Sequence, residues 1–394
     1  MFVTRPLSLF KTSPEAVSEL LPEGPNSGYL VTTDEEWENE ARSCGGLFKD
    51  KRIKDFPFPQ NRILTVEYSE YHGQHWMFYH DKVLFVPVIG QPLSANMYYV
   101  IMAQGKYKGQ ACSCSKEEDK STYCFCNHIR DIKPRPLDFS NIYQQVLIKR
   151  CGKAQFVASS IASDGYAPRF LRRKGWRVYA SSSQQIPLHD VNGVDIAVRN
   201  PHPSSDFPIS NTRSMSVVMG GWHCPFMFIK EEDTTVKGQM ERSPFYEMTL
   251  ERFWEQIFAC ENSYSGQENV VAINTSVKME VVRLFGEEEV RTEDIRVGDG
   301  WVWFRIQKSG AKRNVGLSLP MLESMRVEAK RGDWVEREER EVRIERVDEF
   351  KGDGGWSRYG SYVLVDRFVL KRMDGSLVLI CDFRHTHQLQ AKWE

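Results

Sequence analysis

From residue 62 to the end of the chain the sequence is cut into short blocks rich in Val, Ile, Tyr, Phe and Trp, separated by polar turns, and this limits it to a strand-rich fold. Ile63 to Tyr68, His75 to Tyr79, Val83 to Val88 and Met97 to Met102 read as an antiparallel meander, with Tyr143 to Lys149 and Trp176 to Tyr179 further on. In Val270 to Leu284, Val277, Met279 and Val281 alternate with Lys278 and Glu280; Trp301 to Ile306 and Tyr362 to Leu370 follow. The strongest local signal is Phe368 to Met373 and Ser376 to Phe383 about Asp374-Gly375, because Asp-Gly favours the two-residue turn whose twist matches paired strands.

Helical signals are fewer. Ser13-Pro14-Glu15 opens a short helix, Asp34 caps a polar one reaching about Ala41, and Pro168 to Lys174 forms a basic one stopped by Gly175. Leu250, Phe253, Trp254, Ile257 and Phe258 recur at helical spacing after Thr249, which predicts a helix over 249–259 lying on a sheet. The class expected is α+β: an N-terminal mixed α+β domain over 1–204, then an antiparallel β domain over 205–394 with that one covering helix. A length of 394 residues suits two domains, and periodicity is lost over 181–212, where Pro201-His202-Pro203-Ser204-Ser205 marks a boundary.

Charge is balanced, 52 basic against 53 acidic side chains, so no global field favours a nucleic-acid partner. The nine cysteines form an odd set spread along the chain, which fits a reducing compartment rather than a disulfide framework. The opening MFVTRPLSLF lacks the apolar run of a signal peptide, and no later stretch has the length of a membrane span, so a cytoplasmic or nuclear location is expected.

The opening MFVTRPLS, the stretch PEGPNSGYLV, the pair KPRPLD and YQQV, the block GGWHCPFMFIKE with FYEMTLERFWEQIF, and the ending RMDGSLVLICDFRHTHQLQAKWE together resemble the land-plant family known only as domain of unknown function twelve sixty-two. The resemblance implies a plant protein associated with stress and defence. It carries no activity, cofactor or catalytic residue with it, although the labels of some members allude to insecticidal crystal toxins.

One cluster could hold a metal. Cys112, Cys114, Cys124, Cys126 and His128 lie inside a polar excursion over 105–140, and one structural zinc would give that excursion order. The single residue between paired cysteines is shorter than usual for zinc, and the alternative is reduced thiols in a loop. Cys381, Phe383, His385 and His387 share strand parity, so either a metal or plain hydrogen bonding could engage their face. Arg169, Arg172, Arg173, Lys174 and Arg177, interleaved with Phe170 and Trp176, suit the phosphates and stacked bases of a nucleic acid or a lipid headgroup layer, or simply form a solvated helix end. Trp222, Phe226, Met227 and Phe228 read as core.

No Walker loop, dinucleotide turn, nucleophile elbow or zinc-protease helix occurs, and His189-Asp190 points to opposite strand faces. The function expected is therefore a non-enzymatic interaction protein with a protein partner. The alternatives are a membrane-active β pore former, motivated by the alternation over 275–284, and a zinc-stabilised nucleic-acid binder or enzyme of unfamiliar type.

Overall fold

Two-residue alternation governs the computed structural model, which describes residues 1–22, 24–40, 42–43, 48–49, 52–123, 126–194, 203–262, 269–286, 288–308 and 311–394. Helix is confined to short segments, so the architecture is predominantly β, with several antiparallel sheets, rather than evenly mixed. The chain divides into two compact units, residues 1–191 with 223–245, and residues 192–222 with 246–394.

The first unit is built on a seven-stranded antiparallel sheet in the order Gln155–Ser160, Gln145–Gly152, Met97–Met102, His75–Pro87, Arg62–His72, Arg177–Gln185 and Arg52–Ile53. It curls until its first strand meets the residue preceding its sixth: Phe156 bridges Trp176, with Phe156 N–H donating to Trp176 O at 2.9 Å. The result is an incompletely closed barrel of six strands, and its interior is aromatic. Phe58 lies 4.9 Å from Phe85, 5.1 Å from Phe156 and 5.6 Å from Tyr98 between ring centroids, and Trp176 stacks on Phe85 at 6.3 Å. All five rings are fully buried.

Phe58 belongs to a buried connecting stretch whose polar groups are satisfied locally. Gln60 donates to the carbonyls of Phe58 and Phe85 at 2.6 and 2.9 Å and accepts from Val31 N–H at 2.6 Å. That bond ties in the parallel pair Phe2–Pro6 and Gly28–Thr32. Gly28 is required there, because a Cβ would sit 2.6 Å from the Phe2 ring. Asp34 accepts from Trp37 N–H at 3.0 Å, so the expected cap of the helix Glu35–Glu40 is formed. The described part of the excursion over 105–140 is anchored at Ala111, which bridges both Ile101 and Arg135, and residues 111–115 are all buried.

The second unit contains the strongest correction. The expected helix over 249–259 is instead part of the strand Phe245–Glu261, which pairs with Arg358–Arg372 from Tyr246↔Arg372 to Glu261↔Arg358. Both faces of that strand are covered around its middle, so Phe253 and Trp254 are both buried and apolar residues fall at helix-like intervals. The decisive period is the shorter one, Tyr246, Met248 and Leu250 against Glu247, Thr249 and Glu251. Among the described residues the α-helix of this unit is Leu319–Arg331, which buries Met321, Leu322, Met325 and Ala329.

Arg358–Arg372 and Leu377–Trp393 form the expected hairpin, but its loop is longer than two residues. Arg372 N–H donates to Ser376 O at 2.9 Å, and Asp374 accepts from Ser376 N–H at 2.9 Å. The sheet continues through Glu280–Leu284. The alternation over 275–284 is not one strand: it breaks at Met279, where Val270–Lys278 leaves to form a separate ribbon with Glu341–Glu349. A single membrane-crossing strand over 275–284 is therefore not present.

Two consequences can be measured. Phe58→Ala should cost ~3–5 kcal/mol in urea unfolding, against well under half of that for Phe58→Leu. His223, whose Nε2 meets His189 O at 3.0 Å, is held near pKa 4 by burial instead of 6.5. Its neutral form is favoured in the folded state, so this stability is complete above pH 6.5 and is lost as pH falls from about 6.5 through about 4. The unfolding free energy from urea titrations should decline over that window by up to ~3 kcal/mol, and the decline should flatten in His223→Gln.

Candidate functional site

The hairpin Arg62–His72 and His75–Pro87 outruns the sheet that carries it. On one side pairing with the sixth strand ends at Arg177↔Glu67, and on the other the pairing with Met97–Met102 starts at Val83↔Met102. From Tyr68↔Tyr79 to His72↔His75 the ribbon is two-stranded, an extension of about 15 Å at the usual rise per residue. Gly73, at φ +65°, makes the turn.

Alternation puts Tyr71, Trp76 and Phe78 on one face of this ribbon, since Tyr71 pairs with Trp76 and Ser69 with Phe78. They are 58%, 63% and 60% exposed, and the Tyr71 and Trp76 rings lie 5.4 Å apart. Three large aromatic rings exposed together at a projecting tip are unusual for a water-facing surface. Sequence reading placed a strand over His75 to Tyr79 but had no means of showing that one face is uncovered.

The opposite face carries the expected basic cluster apart from Arg177. The short helix Arg169–Arg172 lies over it, with Phe170 6.3 Å from Tyr68 and Tyr68 stacked on Tyr79 at 5.3 Å. Burial, together with the carboxylates of Asp81 and Glu70, pushes the Tyr68 phenol up to about 12. Arg169 and Arg173 share Glu70, and Arg172 donates to Asp131 at 2.8 Å, whereas Arg177, paired across the strands with Glu67 and 3.7 Å from its carboxylate, lies on the face of Tyr71 and Trp76. Lys174 is exposed and has no carboxylate partner among the described residues. On this face Arg169, Arg172, Arg173 and Lys174 stand against Glu70, Asp81 and Asp131, an excess of one positive charge, and the pairing fixes where the guanidinium groups sit. Trp176, by contrast, is not available for stacking: it is core, its indole donating to Leu171 O at 2.7 Å.

The other expected clusters are only partly described. Cys112 and Cys114 are buried, the first with its sulfur 3.5 Å from Met102 Sδ and the second directed to Gln145 O at 3.9 Å. Burial pushes both thiols up, so a metal there would have to displace protons from buried groups. Cys124 lies outside the described residues, as do the side chains of Cys126 and His128 on the strand Cys126–Ile129. Among the described residues no group of three or more Cys, His, Asp or Glu has metal-binding geometry.

His385 and His387 do share a face, 6.1 Å apart, but His385 is fully buried against Asp366 at 3.0 Å. Arg252 grips the same carboxylate at 2.6 and 2.9 Å. The hydrogen bonds from His385 and Arg252 hold Asp366 below the usual carboxylate range against the opposing effect of burial. A sealed set of this kind fixes strand register; Arg252, Asp366 and His385 are all buried, which leaves no access for a substrate.

Among the described residues no helix is long and apolar enough to cross a membrane. Residues 23–125 match the family described as protein of unknown function, DUF1262. No curated protein matches the chain. Among solved structures the chain is similar to one titled as the crystal structure of Cry35Ab1, at 11% identity and a TM-score of 0.47, covering 85% of this chain and 90% of that one. A likeness of that size carries no argument about activity.

The tip and its flank should respond differently to substitution. Trp76→Ser with Phe78→Ser should leave stability within about 0.5 kcal/mol of the parent, because both rings are already in water. Glu70→Gln should cost ~1–3 kcal/mol, because Arg169 and Arg173 then share an uncharged partner. Thermal and urea unfolding of the variants, side by side, check both.

Proposed function

We propose that this chain is a non-enzymatic interaction protein that docks on anionic lipid surfaces through the 68–79 ribbon. The observation that carries this reading is the joint placement of Tyr71, Trp76 and Phe78 on one exposed face and of Arg169, Arg173 and Lys174 behind them. Aromatic rings settle at the headgroup level, and cations flanking them are drawn to anionic lipid at about 1 kcal/mol each near the surface. Two weak contributions of this kind acting together give reversible adsorption rather than insertion. The resemblance noted in the sequence supplies the setting, a plant protein associated with stress and defence.

Vesicle co-sedimentation tests this. Vesicles of phosphatidylcholine with phosphatidylserine should retain the protein, vesicles of phosphatidylcholine alone should retain much less, and retention should fall as salt rises. Trp76→Ser with Phe78→Ser should weaken retention about tenfold or more. Absence of retention on anionic vesicles at low salt would overturn the proposal and leave a protein partner as the occupant of the aromatic face. Release of an entrapped dye on binding would instead favour the pore-forming reading.

A further inference from the structure

Three of the nine histidines of the chain fall within residues 72–80, on the ribbon that projects from the first unit. Alternation puts His72 and His75 on the side of the short basic helix, and His80 on the side of Tyr71, Trp76 and Phe78. The His72 and His80 side chains are 51% and 54% exposed, and His75 is exposed as well. Imidazole is the side chain that ordinarily changes charge between about pH 5 and 8, and a proton from solvent reaches all three rings without any opening of the fold.

The surroundings decide whether the added charge is absorbed. His72 Nε2 lies 3.5 Å from Glu70 and 3.3 Å from the Tyr79 hydroxyl, but that carboxylate is already held by Arg169 and Arg173 from the helix. His75 lies across from His72 in the last pair of the ribbon. His80 Nε2 lies 3.2 Å from Glu67, which also accepts from the Tyr179 hydroxyl at 3.1 Å and has Arg177 at 3.7 Å. Lys82 shares the face of His80, and Asp81, next to it in sequence, is held above the ordinary carboxylate range by burial, against the opposing effect of His80. Arg169, Arg173, Arg177 and Lys82 against Glu67, Glu70 and Asp81 make an excess of one positive charge, and three imidazolium groups raise it to four. With Glu67 and Glu70 already engaged, the added charge is not neutralised within the protein and acts on whatever the ribbon touches.

We infer that protonation of His72, His75 and His80 regulates the ribbon, so that it holds anionic lipid much more tightly in mild acid than at neutral pH. This rests on the lipid docking proposed above and adds the condition under which it operates. Each cation added near an anionic surface strengthens attachment about fivefold, so two or three at the tip outweigh the excess already present. The coupling is reciprocal: a surface that favours the imidazolium forms also draws protons onto the rings.

The test uses the full chain and vesicles of phosphatidylcholine with phosphatidylglycerol, whose phosphodiester stays charged throughout, at about pH 7.5 and about pH 5.5. Co-sedimentation should show attachment about tenfold or more tighter at the lower pH, and that ratio should shrink to about twofold in the triple variant His72→Gln, His75→Gln, His80→Gln. The other histidines, His223 among them, and Asp81 respond to acid in both proteins, so the difference between the two reports the three rings. Proton uptake is the second readout: mixing the parent with these vesicles in weak buffer at about pH 6.5 should raise the pH, and the variant should do so much less. Equal ratios in parent and variant, or no proton uptake by the parent whether or not the variant folds, overturn this inference and leave lipid docking standing. No retention at either pH overturns both.

Discussion

The packing of Phe58 inside the curled sheet is the contact on which the first unit depends. Its ring touches residues from three strands and from the turn before a fourth, so it specifies how far the sheet must bend as well as filling the space within. Gln60 makes this arrangement tolerable, because its side-chain amide satisfies the carbonyls of Phe58 and Phe85, which would otherwise be buried without donors. Through its acceptor on Val31 the same side chain anchors the pair of strands that opens the chain. One buried amide thus joins three segments distant in sequence.

The second unit relies on charge to achieve what aromatic packing does in the first. Asp366 takes Arg252 and His385, and Asp382 takes Arg367 at 2.6 and 2.9 Å together with Arg283. Ion pairs buried this deeply bring little net stability, since desolvation offsets the attraction, but each is costly to break. On long strands that could slide by two residues without exposing their apolar faces, such pairs forbid the slipped registers. The rigidity they give the strand Leu377–Trp393 extends to Phe383, which packs edge-on against Trp334 at 5.1 Å.

Much of this was legible in the sequence where the signal is local. Asp374-Gly375 announced its hairpin, Asp34 its helix cap, and the run from Arg169 to Arg177 a concentration of positive charge. Signals failed where the third dimension decides. Residues 249–259 looked helical because a strand covered on both faces shows apolar residues at intervals that imitate a helix. The carboxylates of Glu67, Glu70 and Asp131 that organise the arginines are remote in sequence and had no reason to be associated with them. Trp176 looked like a stacking platform beside cations, yet alternation places it opposite Arg177, inside the barrel. The exposed face at Tyr71, Trp76 and Phe78 has the composition of core, and only the ending of the neighbouring strands leaves it bare.

The way the sheet closes also sets an order in time. Strands from Arg62 to Met102 pair with near neighbours along the chain, whereas Arg177–Gln185 must travel back across more than a hundred residues to reach Arg62–His72. Loop closure of that span is slow compared with forming a meander, so the local strands assemble first and the barrel stays open until the later segment arrives. Until Trp176 seats against Phe85 and Phe156, the aromatic interior faces water. During synthesis, a nascent chain would therefore present this surface from the time Met102 emerges until Gln185 does.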